Sequence, residues 1–342
     1  MIVDDGTVQP HNFAPDESFQ PIGAIADRVV KAAGADIRWD GETITEPGIY
    51  SGISLDHYHN KTDLLDGPSV SKSSLKYIGP GHSPKEFWHR WAYNPNRIEP
   101  KKSDALDFGK AVHCLLLGDQ AFAENFVVRP DQWESWNKKA SQEWRNEHEA
   151  LGFTVLVPEQ MDKIARMYED AKEYPLIKGG ILNGRVERSL IWKDPETQIW
   201  LKVRPDVIPL DGIYADLKTV GDMSQEFLER QIGPMGYYIQ GALTRMGCRA
   251  LGKPFESFVF LYSSTADTPD TAHAELSEFE LDRGEHVVRH GLKLIRQGLD
   301  TGEWPGADIC DFGSRKIQMK PWDKERIDRW IELQNQNEGE AA

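Results

Sequence analysis

The residues from 200 to 218 constrain the fold more than any other stretch. Trp200, Lys202, Arg204 and Asp206 alternate with Leu201, Val203, Pro205 and Val207, the period of two that sends successive side chains to opposite faces of a strand. Pro209-Leu210-Asp211-Gly212 follows, and Asp-Gly is a favoured tip of a tight hairpin, so the spacing predicts a reversal there. Beyond it the same period sets Asp216 and Lys218 on one face and Leu217 on the other. Two carboxylates, Asp206 and Asp216, and one ammonium then converge beside a hairpin. Hard oxygen ligands of this kind suit Mg²⁺, and a neighbouring lysine can orient or deprotonate an attacking water. As a pattern alone, an Asp-x-Lys triplet is frequent by chance, and an exposed strand with a salt bridge accounts for it as well.

A chain of 342 residues, 39% of them hydrophobic, can bury a substantial core as one large or two ordinary domains. Its net charge of -15 argues against broad adhesion to nucleic acid or anionic lipid, both of which reward a basic surface, but leaves room for a local basic groove. Cys114, Cys248 and Cys310 are far apart and make no C-x-x-C pair. Neither a zinc ribbon nor a disulfide framework is indicated, and a reduced, cytoplasmic chain fits best. The first residues lack a basic, apolar leader, and no window approaches about eighteen uninterrupted apolar residues. Neither a signal peptide nor a membrane span is expected.

Residues 1–46, rich in Pro, Gly, Asp and Glu, read as a tail or loose appendage. A Ser-capped helix is expected from Ser71 or Ser73, and another from Pro84. The second carries Phe87, Trp88, Trp91 and Tyr93, which fit core packing better than stacking on nucleic acid. A helix from Ser103 holds Leu106, Ala111, Leu115 and Leu116 at apolar spacing, with His113 inside it and Gly109 four residues earlier on the same side. That glycine allows another element to approach closely. A lone histidine there is more often a satisfied core residue than a ligand. Residues 122–128 read as a strand, and 143–150 and the stretch from Pro158 as helices. A strand over 186–192 precedes the one carrying Asp206, so one sheet is expected to gather Glu187, Asp206, Asp216 and Lys218 from consecutive strands. Helices follow over 224–231, from Tyr237, over 281–299 and over 323–335, with a strand over 255–263.

Five separated motifs agree with one family: Asp107-Phe108-Gly109-Lys110-Ala111-Val112-His113, Glu187-x-Ser189, Arg204-Pro205-Asp206, Asp216-Leu217-Lys218-Thr219 and Tyr237-x-x-Gln240. In order and spacing they resemble the RecE-type exonucleases (exodeoxyribonuclease VIII) of the PD-(D/E)xK superfamily, over roughly residues 51–305. The resemblance implies an α/β, restriction-endonuclease-like core with a mixed central sheet flanked by helices, placed at 47–320, followed by a C-terminal helix and acidic tail at 321–342. It implies Mg²⁺-dependent cleavage of double-stranded DNA, 5′ to 3′, leaving 3′ tails for recombination in a phage or prophage setting. Asp206, Asp216 and Glu187 correspond to metal carboxylates, His113 and the backbone carbonyl of Leu217 to further ligands, and Lys218 to the residue that positions the water. Imidazole ligation makes Mn²⁺ a workable substitute for Mg²⁺. Gln240 and Tyr237, with Arg204 and Ser189, correspond to DNA contacts. Thr244 departs from the pattern, standing one turn after Gln240 where an aromatic is expected. The partners implied are double-stranded DNA ends, further copies of the chain in a ring, and a single-strand annealing recombinase, with no membrane.

Two other classes meet the same residues differently. Helicase-associated and CRISPR-adaptation nucleases share the His, Asp and D-x-K pattern, but many hold an iron–sulfur cluster on four cysteines, which three scattered ones cannot supply. A non-catalytic DNA-end-binding protein on a decayed nuclease fold would have lost a carboxylate or the lysine, and all are present. A metal-dependent endonuclease with the same site remains open.

Overall fold

A computed structural model of the chain describes residues 36–99, 104–117, 122–186, 188–307 and 318–340. It divides into two compact units, Met1–Gly306 and Ala307–Ala342. The strands of the first are β1 (Ile37–Arg38), β2 (Gly48–Ser51), β3 (Ser69–Val70), β4 (Phe126–Val128), β5 (Thr154–Leu156), β6 (Arg185–Val186), β7 (Ser189–Lys193), β8 (Trp200–Val203), β9 (Val207–Ile208), β10 (Ile213–Val220), β11 (Ser257–Ser264) and β12 (Thr271–Glu275). Its helices are α1 (Leu55–Asn60), α2 (Lys72–Leu75), α3 (Pro84–Arg90), α4 (Asp104–Leu117), α5 (Phe122–Asn125), α6 (Lys139–Ala150), α7 (Pro158–Glu173), α8 (Pro175–Lys178), α9 (Gln225–Ile232), α10 (Tyr237–Ala250) and α11 (Glu278–Thr301). The second unit holds α12 (Pro321–Glu340). No helix among the described residues is long and apolar enough to cross a membrane.

Serines set several helix starts. Ser54, Ser83, Ser224 and Ser277 each accept a hydrogen bond from the backbone N–H three residues on, relieving donors that the first turn leaves without partners. The sheets are mixed. β1-β2-β7-β8-β3 form one, parallel at both outer pairs and antiparallel between β2, β7 and β8. β10 pairs parallel with β11 over its whole length, and β11 antiparallel with β12. The chain is therefore an α/β fold with mixed sheet flanked by helices.

β10 and β11 divide two cores. Tyr214, Val220, Phe258, Phe260 and Tyr262 pack with Tyr237, Ile239 and Leu243 of α10 and with Leu281, Val288 and Leu292 of α11. On the other side Ala215, Leu217 and Leu261 pack with Ala111, Val112 and Leu115 of α4 and Ile164 and Met167 of α7. Such burial on both faces is what a near-continuous apolar strand demands, and it suits parallel pairing across a helical crossover.

This changes the hairpin read from Asp211-Gly212. The reversal exists, with Gly212 at φ +86° and Ile213 N–H donating to Asp211 Oδ1 at 3.1 Å, but no ladder joins β9 to β10. β9 pairs with β6, and Pro205 and Pro209 on either side of it lack the N–H that a longer ladder needs. Asp206 therefore lies in the link between β8 and β9, and Asp206 and Asp216 do not come from neighbouring strands of one sheet. The strand read over 186–192 is interrupted between β6 and β7. The stretch 122–128 begins as the short helix α5 before becoming β4. Ile37 and Arg38, inside the region read as an appendage, pair with Tyr50 and Ser51, and Ile44 is buried with Tyr58, Leu64 and Trp200. Phe87 and Trp91 are buried and Trp88 stacks on Trp304 at 4.7 Å, as core aromatics.

The crossing of α10 and α11 depends on Gly284. A Cβ there would meet the Tyr238 carbonyl and lie 2.6 Å from Ala242 Cβ, so the helices would have to move apart. Gly284→Ala should lower stability by about 1–3 kcal/mol, the usual cost of overpacking. Urea unfolding of the variant beside the wild type measures it.

Candidate active site

β10 places Asp216 in the middle of a strand packed on both sides, and the carboxylate is only 1% exposed. Its Oδ1 accepts a hydrogen bond from Gln240 Nε2 on the first turn of α10, and its Oδ2 is in contact with Lys218 Nζ. Two residues apart on one strand, Asp216 and Lys218 face the same way, as the alternation requires. The Lys218 ammonium lies 5.3 Å from the centre of the Tyr237 ring, a cation–π contact beneath the pair.

Asp206 reaches the same place from the β8–β9 link. Its Oδ2 accepts the Leu217 N–H at 2.6 Å, standing in for a strand partner on that edge of β10. One residue's N–H and C=O point to the same side of a strand, so the Leu217 carbonyl also faces Asp206 and away from β11. From α4, His113 brings Nδ1 to 3.5 Å from Asp206 Oδ2. Gly109 permits this approach, because a Cβ there would lie 3.1 Å from Thr219 Oγ1.

The charges hold one another in defined states. Burial pulls Lys218 down, but Asp216 and Asp206 outweigh it and keep the ammonium above its usual range. Lys218 is thus a proton donor here. Burial likewise opposes charge on His113, and Asp206 overrides it, raising the imidazole above 6.5. Asp206, despite burial, is held below the ordinary carboxylate range by His113, Lys218 and the Leu217 N–H. Asp216 goes the other way, raised by burial and by Asp206 against the pull of Lys218. The like-charged neighbours separate in proton affinity, a common property of reactive sites.

A basic rim surrounds this centre. Burial together with Lys218 lowers Lys72 to about 7. His59 keeps a solvent-exposed surface, yet crowding, with Lys202, Arg204, Lys110 and Lys72 adding repulsion, holds its imidazole down at about 4. Arg204 Nε donates to Ser189 Oγ at 2.9 Å and a terminal nitrogen to the Ile53 carbonyl at 2.8 Å, and its guanidinium lies 4.6 Å from the Tyr58 ring centre.

The structure thus brings together Asp206, Asp216, Lys218, His113, Leu217, Gln240 and Tyr237. Glu187 lies outside the described residues. Ser189 is fully buried, so it anchors Arg204 where a direct DNA contact was expected. Gln240 spends its amide N–H on Asp216, and Tyr237 is buried under the two lysines. Thr244, in place of an aromatic, is fully buried and donates to the Gln240 carbonyl at 3.0 Å. Sequence reasoning gave Lys72 no role, since only the tertiary approach of α2 to α10 reveals its neighbours.

Among the described residues no three His, Cys, Asp or Glu side chains converge as a ready-made metal cage; Lys218 and His113 sit on the carboxylates instead. The donor chemistry nevertheless fits a hard divalent ion. Asp206 lies beside His113 and the Leu217 backbone, Asp216 beside Lys218 and Gln240, and Gln240 Oε1 is buried there with no hydrogen-bond partner. Asp206, Asp216 and the Leu217 carbonyl would hold the ion, with His113 at its edge.

Asp206 in the β8–β9 link and Asp216-Leu217-Lys218 within β10, on a mixed α/β scaffold, define a PD-(D/E)xK nuclease fold. Residues 71–315 match the family described as "PDDEXK-like domain of unknown function (DUF3799)", and the chain belongs to it. No curated protein matches the sequence. Among solved structures the chain is similar to a "Putative exonuclease" from Eubacterium rectale, at 15% identity and a TM-score of 0.49, over 75% of this chain and 92% of that one.

The raised imidazole gives a pH test. A group whose folded pKa lies above its unfolded value adds stability below the unfolded value and loses it as pH rises through the folded one. In chelator, the stability difference between wild type and His113→Asn should therefore be larger at about pH 6 than at about pH 9. Equal differences in urea midpoint at both would show that His113 and Asp206 do not interact as charges.

Proposed function

We propose that this chain is a Mg²⁺-dependent deoxyribonuclease that degrades double-stranded DNA from its ends, 5′ to 3′, leaving 3′ single-stranded tails for recombination. The observation that carries the reading is the buried Asp216–Lys218 pair with Asp206 and His113 turned onto it. The polarity, the recombinational use and a phage or prophage origin follow from the RecE resemblance. A divalent ion held at the carboxylates supplies Lewis acidity, stabilising charge on the phosphoryl group and acidifying a bound water. Lys218, protonated, orients the attacking water and donates to the phosphate. Gln240 fixes the rotamer of Asp216, and the Leu217 N–H that of Asp206, so both carboxylates are held before substrate arrives. Arg204, tied to Ser189 and Ile53, offers a preset guanidinium to the DNA backbone.

Asp216→Asn and Lys218→Ala should each lose at least about a hundredfold in cleavage rate, measured below the melting temperature of each variant, and Lys218→Ala should also melt lower because it leaves the buried Asp216 without its cation. Lys218→Ala with wild-type turnover at saturating Mg²⁺ would refute its role. Linear duplex should be degraded and closed-circular duplex spared. Cutting of closed circles would instead establish the endonuclease reading.

The net charge of -15 is compatible with DNA binding if the basic side chains line an inner surface, as in a ring of several copies, and a single-strand annealing protein would then receive the tails. The setting would be the cytoplasm. Light scattering should find an oligomer; a monomer at every concentration would contradict the ring.

A further inference from the structure

Lys72 stands apart from the other lysines around the centre. Lys218 lies against Asp216, and Lys202 donates to the Tyr58 carbonyl. Lys72, at the start of α2, has no carboxylate within 4.0 Å among the described residues. Its ammonium lies 5.3 Å from the centre of the Tyr237 ring, the same distance as that of Lys218 from the same ring. The local backbone makes room for it. Gly236, the N-cap of α10, adopts φ +65°, and a Cβ there would lie 3.1 Å from Lys76 Cβ and 3.8 Å from Lys72 Cε.

Two ammonium groups brought to one ring repel each other, and a half-buried cation with no ion-pair partner among the described residues is unfavourable. A fold keeps such an arrangement where a ligand supplies the missing anion. Asp216 attracts Lys72 but is already engaged by Lys218 and Gln240, so among the described residues no carboxylate is left to pair with it. With the hydrolytic centre adjacent, the anion that fits is a phosphodiester.

On the nuclease reading above, we propose that Lys72 binds a non-bridging oxygen of the scissile phosphate, forming with Lys218 a pair of cations on either side of the reacting group. The Tyr237 face and the Gly236 turn hold the lysine stem in place, so the ammonium is preset. Free, it is held to about 7 by burial first and then by Lys218, and a bound phosphate restores its full charge.

The test compares wild type, Lys72→Met and Lys72→Arg. Lys72→Met keeps the apolar stem and removes the charge, and Lys72→Arg keeps the charge. Cleavage of linear duplex is measured in Mg²⁺, and binding of the same duplex in Ca²⁺ across a range of salt, below the melting temperature of each variant. Lys72→Met should lose about a hundredfold in kcat/KM. Its plot of log affinity against log salt should be shallower by about one, the mark of one lost phosphate contact. Lys72→Arg should recover most of both. If wild type cuts DNA and Lys72→Met cuts as well with the same salt slope, the Lys72 assignment is overturned and the nuclease reading stands. A loss of cleavage with an unchanged salt slope makes Lys72 a structural residue and also overturns the assignment. A wild type that does not cut DNA in Mg²⁺ overturns the nuclease reading and this role with it.

Discussion

An aspartate 1% exposed, in the middle of a strand packed on both faces, is the constraint on which the rest of the structure depends. A carboxylate in such a place is tolerated only when cations and N–H donors stand in fixed positions around it. Lys218 meets that need from the same strand and Gln240 from the start of α10, which is why α10 must cross close to β10. The same helix also lies close to β7, where a Cβ at Gly247 would be 2.8 Å from Trp192 Cζ3.

The second carboxylate ties the two sheets' neighbourhoods together. By accepting the Leu217 N–H, Asp206 uses the open edge of β10 that β9 does not pair with, and the prolines around β9 keep that edge free. His113 comes from the opposite layer, on a helix held against Leu217 and Ala215. Three layers therefore meet at one point: α10 on one face of β10, α4 on the other, and the β8–β9 link at its edge. Each contributes a charged or polar group whose proton affinity is set by the others.

Much of this was legible in the sequence because it is local. The alternation that pairs Asp216 with Lys218 is a property of any strand, and the helices expected from Ser71, from Pro84 and over 224–231 stand at Lys72, Pro84 and Gln225. His113 and Gly109 lie on one helical side, and that is how Gly109 opens space beside Thr219. What was not legible is long-range. Asp211-Gly212 encodes a reversal but not the partner of the strand that follows, and β10 finds β11 some forty residues on, where both are buried on both faces. Gln240 and Ser189 were read as DNA contacts, since polar side chains in a motif carry no mark of whether they face solvent. Lys72 is invisible in the same way, its lack of a counterion being a fact of tertiary packing.

The central claim is that Asp206 and Asp216 hold a divalent ion in place of their present contacts with His113 and Lys218. Calorimetric titration of Mn²⁺ into the DNA-free protein tests it, run in buffers of different ionisation enthalpy. The account predicts saturable binding with release of protons, because an ion on Asp206 displaces the imidazole and removes the charge that raises its proton affinity, and loss of that binding in Asp206→Asn. Binding of equal strength in Asp206→Asn, or no saturable binding by the wild type, would contradict it.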